Sequence, residues 1–118
     1  MRFVTYVRNG RPQPAVVNGH ELFDVPGIPS LLDVIRRGED GLRAGRSALD
    51  RPSSALLEDV RLLAPIPEPE RFVMATGWNY LAHFNEGVGK RNDEVTELPE
   101  FPSFFAKADT TVIGPTDP

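Results

Sequence analysis

The sequence predicts an α+β fold, mostly β, assembled from short elements. Twelve prolines and ten glycines in 118 residues fall between short apolar runs, which leaves little room for long helices. Two Asn-Gly dipeptides, Asn9-Gly10 and Asn18-Gly19, each separate β-rich segments, the strongest short-range hairpin signal. The clearest helical pattern is brief and follows the breaker Pro26-Gly27.

Element by element, Arg2 to Arg8 is rich in β-branched and aromatic residues and predicts a first strand. Ala15 to Asn18 predicts a second and His20 to Val25 a third, giving a three-stranded meander. Ser30 is placed to cap a short helix with Leu31, Leu32, Val34 and Ile35 on its apolar side; Arg36-Arg37 suit its C-terminus and Gly38 ends it. A second, weaker helix is expected from Glu39 to Arg51, since Gly41 and Gly45 each lower helix propensity. Pro52-Ser53-Ser54 reads as a loop, and Leu56 to Leu63 is ambiguous, with an extended exit at Ala64-Pro65. The Pro- and Glu-rich stretch from Pro65 to Arg71 is a poor core former, so a small amino-terminal domain, residues 1–64, is expected to precede a second domain, 65–118. In that second part, Phe72 to Ala75 fits a buried strand, Gly87 to Pro99 a polar loop, and Ser103 to Ile113 a further apolar strand.

Composition excludes several function classes. A net charge of −4 and the lack of a basic patch interleaved with aromatics argue against nucleic acid as a partner. No segment has the apolar length of a membrane span, and Met1-Arg2 is not followed by a signal-peptide core. With no cysteine there is neither a disulfide framework nor thiolate chemistry, and a cytoplasmic location is the default expectation.

Chemistry concentrates in Gly77-Trp78-Asn79-Tyr80-Leu81-Ala82-His83-Phe84-Asn85-Glu86-Gly87. Gly77 is expected to supply a sharp strand-to-helix turn and Asn79 to cap the helix that follows. On a helix, His83 and Glu86 share one face, and a carboxylate beside an imidazole can fix its tautomer and stabilise the imidazolium. By spacing alone such a pair is more often a solvated surface contact. The other histidine, His20, sits beside a turn with no acidic partner at helical spacing. Lys107 follows the aromatic run Phe104-Phe105-Ala106.

Three pieces in order, Gly77 to Glu86 (Gly-x-Asn-Tyr-x-x-His-x-x-Glu), Pro102 to Lys107 (Pro-x-Phe-Phe-x-Lys) and Gly114 to Pro118 (Gly-Pro-x-Asp-Pro), resemble the fumarylacetoacetate hydrolase family. Leu62 to Pro67 is similar to the family's entry into its main domain, and Met1 to Tyr6 to the small amino-terminal domain of many bacterial members. The resemblance implies the start of a β-roll catalytic domain, truncated at Pro118 where members continue into another strand. It implies hydrolysis of a carbon–carbon bond in a β-diketo or 2-oxo acid, with His83 as general base toward water and Glu86 orienting it. Lys107, Tyr80 and Asn79 are then expected to contact substrate. It equally accommodates isomerisation or decarboxylation of a 2-oxo dicarboxylate, as in aromatic catabolism.

The family's metal, Mg²⁺ or Mn²⁺, is bound by a Glu-x-Glu pair and an Asp further along, so the resemblance implies no metal ligand in this chain and little activity for it alone. The one Glu-x-Glu present, Glu68-Pro69-Glu70, precedes the signature and reads better as a solvated linker. Trp78 stands where members often carry a polar or basic residue, and Ala108 where they commonly carry Pro. The resemblance further implies a homodimer and makes the Gly87 to Pro99 loop either a lid or an ordinary surface loop. Two other readings are a non-catalytic binding module and one subunit of a split enzyme. Bare apolar strands in the second part predict self-association of the isolated chain.

Overall fold

A computed structural model of the chain describes residues 1–90 and 97–117. Part of the expected Gly87 to Pro99 loop therefore lies outside the described residues, as does Pro118. The fold is α+β and mostly β, with two antiparallel sheets. By compactness the chain divides into two units, Met1–Glu68 with the tail from Val112, and Pro69–Thr111.

In the first unit, β1 (Arg2–Arg8), β2 (Arg11–Asn18), β3 (Glu21–Asp24) and β4 (Ala55–Leu56) form one sheet in the order β1-β2-β3-β4. The first turn follows from its sequence: Asn9 and Gly10 take φ of 50° and 75°, the left-handed values a two-residue hairpin requires. The second strand is longer than expected, running through Pro12 and Pro14 although it lies between two neighbours. Ladder groups explain this. The Pro14 carbonyl accepts from Val25 N–H at 3.1 Å, so it points away from β1, and the nitrogens of Pro12 and Pro14 point the same way. β3 pairs only with Ala15 to Asn18, so no ladder donor is lost.

The alternation of β2 builds two cores. Val16 packs with Val25, Ile28, Leu31 and Val34 on one face. Ala15 and Val17 pack with Tyr6 and Leu22 on the other, beneath Val60 and Leu62. The ambiguous Leu56 to Leu63 stretch resolves into the end of β4, a 3₁₀ turn at Leu57–Asp59 and a segment along β1. There Val7 N–H donates to Arg61 and Leu63 N–H to Thr5, at 3.0 and 2.9 Å, which protects an otherwise open edge.

Helix α1 (Leu31–Arg36) is capped as expected, Ser30 Oγ accepting from Asp33 N–H at 3.1 Å. Its buried side chains are Leu31 and Val34; Ile35, expected on the apolar side, points to solvent with 64% of its surface exposed. Helix α2 (Glu39–Ala48) stops short of the expected Arg51. Its glycines are needed for packing. A Cβ on Gly41 would lie 2.1 Å from the Val34 carbonyl oxygen, and one on Gly45 would lie 2.6 Å from the Phe3 ring.

The tail is tied to this same unit. Arg61 donates to Asp117 Oδ1 at 2.7 Å, and Gly114 N–H donates to Asp117 Oδ2 at 2.8 Å. The Gly-Pro-x-Asp motif thus closes a clamped turn. First the Arg61 hydrogen bond, then that from Gly114, holds the Asp117 carboxyl below its ordinary value.

The second unit is a ribbon, β5 (Val73–Gly77) paired with β6 (Ser103–Lys107), with helix α3 (Leu81–Glu86) following β5. Two expectations are corrected here. The sequence reads Phe72 to Ala75 as a buried strand, yet Phe72 and Met74 are 66% and 64% exposed. The expected strand from Ser103 to Ile113 ends at Lys107, giving way to a 3₁₀ turn at Asp109–Thr111. A two-stranded ribbon has no sheet of its own to lay its side chains against, so apolar sequence alone does not bury them. No described helix is long and apolar enough to cross a membrane.

Candidate active site

The strand-to-helix turn positions the candidate residues. The left-handed backbone falls on Trp78, with φ 46°, rather than on Gly77. Such a φ is unusual for a bulky residue and needs support from its surroundings. The Trp78 indole meets Phe84 edge-on, ring centroids 5.7 Å apart, and Phe84 is the one buried side chain of α3. That contact anchors the helix to its own entry. The N-cap is Tyr80, extended at φ −151°, and no side chain caps the helix, so Asn79 does not play the capping role expected of it. Once Trp78 takes the left-handed position, Asn79 falls one residue too early.

With Phe84 facing inward, His83 and Glu86 face outward together. His83 Nδ1 lies 3.4 Å from Glu86 Oε2, a long contact between side chains that are 48% and 70% exposed. With Nδ1 carrying the proton toward Glu86, Nε2 is left as the acceptor that can take a proton from substrate. The Tyr80 ring lies 5.5 Å from the His83 ring, tilted by 37°, so three of the expected residues cluster on one face.

Asn79 instead lines a cleft of about 210 Å³ with Gly77, Trp78, Ser103 and the 98–102 segment. Trp78, which the sequence reads either as shaping substrate choice or as filling a core gap, lines that cleft, as do Leu98 and Phe101, whose only sequence signal is their place beside the motif. Lys107 stands apart along the ribbon. It pairs with Val73 while Ser103 pairs with Gly77, which places Lys107 roughly 13 Å of strand away from the turn. Glu70, Arg71, Phe72, Met74 and Asp109 line a second, larger cleft in this unit, of about 540 Å³.

Among the described residues no three His, Asp or Glu side chains gather into a metal-binding group. The donor set a divalent cation requires is not found among them.

No family model matches the chain. Two curated relatives do. "Oxaloacetate tautomerase fahd2, mitochondrial" of Xenopus laevis is 29% identical over 128 aligned positions, covering 100% of this chain and 38% of its own length. "Oxaloacetate tautomerase YisK" of Bacillus subtilis (strain 168) is 33% identical over 107 positions, covering 82% of this chain and 34% of its own length. The chain thus spans about a third of the length of the relatives it matches. With the ordered motifs from Gly77 to Asp117 and similarity along the whole chain to members of that family, the chain belongs to the fumarylacetoacetate hydrolase family.

Proposed function

We propose that the protein carrying this chain interconverts the keto and enol forms of a 2-oxo dicarboxylic acid, with the residues of α3 moving the proton. The observation that carries this reading is the His83–Glu86 pair, 3.4 Å apart beside the Trp78 turn. His83 Nε2 takes a proton from the carbon next to the ketone, whose electron pair moves toward the carbonyl oxygen. A proton returned to that oxygen, from the imidazolium or from water, completes the enol. Glu86 holds the ring and stabilises its charged form, and Lys107 is proposed to offset the substrate's negative charge.

Hydrolysis of a carbon–carbon bond begins from the same kind of activated ketone and is the second reading. The names of the two relatives favour tautomerisation. Proton transfer alone also asks less of this site than placing a water for attack on a carbonyl carbon. A bound Mg²⁺ or Mn²⁺ and a homodimer remain part of the proposal for the whole protein.

Two assays on the natural gene product carrying residues 1–118 separate the readings. Enol absorbance reports ketonisation of oxaloacetate, and product analysis reports cleavage of an acylpyruvate. The proposal expects accelerated ketonisation with little cleavage. Rapid cleavage with no effect on the keto–enol rate would reverse the order of the two readings.

A further inference from the structure

The first unit holds a cleft that the proposed chemistry does not use, and its charge is opposite to that of the chain. Arg8, Asp24, Arg51, Pro52 and Ser54 line a cleft of about 340 Å³, within the range of small-molecule sites. The chain as a whole carries −4, yet two arginines and a single carboxylate line this cleft.

That carboxylate is already engaged. Asp24 accepts from the Tyr6 hydroxyl at 2.7 Å and forms an ion pair with Arg8. Ser54 Oγ accepts from Asp24 N–H at 3.2 Å, which leaves its own proton to donate. Among the described residues neither Arg51 nor Arg11 has an ion-pair partner. Arg11 stands directly across the hairpin from Arg8, a like-charge cross-strand pair in which only the Arg8 charge is met, by Asp24. The frame around these groups is firm: Tyr6 is 2% exposed, and Ser54 N–H donates to the Leu22 carbonyl at 2.7 Å.

We infer that this cleft binds a small oxyanion, a carboxylate or phosphate group of a metabolite, held by the Arg51 and Arg8 guanidinium forks and the Ser54 hydroxyl. Planar guanidinium groups match such oxygens in paired hydrogen bonds, whereas no exposed aromatic in the cleft offers a stacking surface for a nucleobase.

The test is arginine labelling with phenylglyoxal, resolved residue by residue by mass spectrometry. It is run in chloride, in inorganic phosphate and in succinate at matched ionic strength. Arg37, exposed and outside the cleft, is the internal reference. One of the two oxyanions is expected to slow labelling of Arg51 and Arg8 saturably, by about tenfold relative to Arg37. Protection by phosphate alone assigns a phosphoryl ligand, by succinate alone a carboxylate ligand, and by both the shared oxyanion chemistry. In Arg51→Ala, which removes an exposed side chain only, protection of Arg8 should disappear. Equal slowing at Arg37 and Arg51, or protection of Arg8 that survives Arg51→Ala, overturns the inference.

Discussion

The two units of this chain use similar apolar residues to opposite effect. In the first, the two faces of one four-stranded sheet are each covered, so that Leu22 and Ala15 are fully buried. In the second, the two-stranded ribbon leaves every residue of β6 exposed, Phe104 at 63% and Phe105 at 46%. Apolar composition supplies the tendency to bury. Only a covering layer turns it into stability.

The sharpest way to break this comparison is to delete similar apolar bulk from each unit. Leu22→Ala should cost about 3 kcal/mol, the cost of truncating a buried leucine, read as a shift in the urea midpoint. Phe104→Ala removes a larger side chain, yet should change stability by less than about 0.5 kcal/mol. Comparable losses would mean that the ribbon is packed after all.

Next in size is Gly41→Ala. Alanine normally favours a helix over glycine by about 1 kcal/mol. Here its Cβ would press on the Val34 carbonyl, a backbone atom that cannot step aside. A net loss of about 2 kcal/mol is expected from overpacking, measured by thermal or urea unfolding. A gain would show that α1 and α2 are free to separate. Ser30→Ala should cost less, about 1 kcal/mol, through loss of the α1 cap.

The smallest effect is electrostatic. The folded-state carboxyl of Asp117 is held below its ordinary value of 3.8, so the clamp stabilises above that pH. The contribution is lost as pH falls through the lowered folded value. Asp117→Asn should flatten the acid limb of a pH–stability profile below 3.8, where the clamp titrates, and an unchanged limb would show the turn to be idle.

These contrasts also mark what the sequence discloses. Local chemistry was legible: Asn9-Gly10 encodes its own turn, Ser30 its cap, and the three-residue spacing of His83 and Glu86 their common face. Features set by a neighbour were not. Gly41 reads as a helix weakener until the Val34 carbonyl is seen against it. Ile35 continues an apolar pattern that only the position of the sheet interrupts. Trp78 takes a left-handed conformation that its own chemistry disfavours and that its contact with Phe84 supports. The apolar run of β5 says nothing about whether a layer covers it. The same limit applies to the candidate site, where the dyad could be read from spacing but its exposure could not.

The most direct test of the account concerns His83. In the natural gene product carrying this chain, keto–enol interconversion of oxaloacetate is measured for the wild type and for His83→Gln, which retains a polar side chain on an exposed helix face. Proton transfer by His83 predicts a fall in kcat of about 10²- to 10⁴-fold, with little change in KM or in unfolding temperature. A variant that keeps its full kcat would place the proton transfer elsewhere and leave His83 and Glu86 as a solvated helix pair.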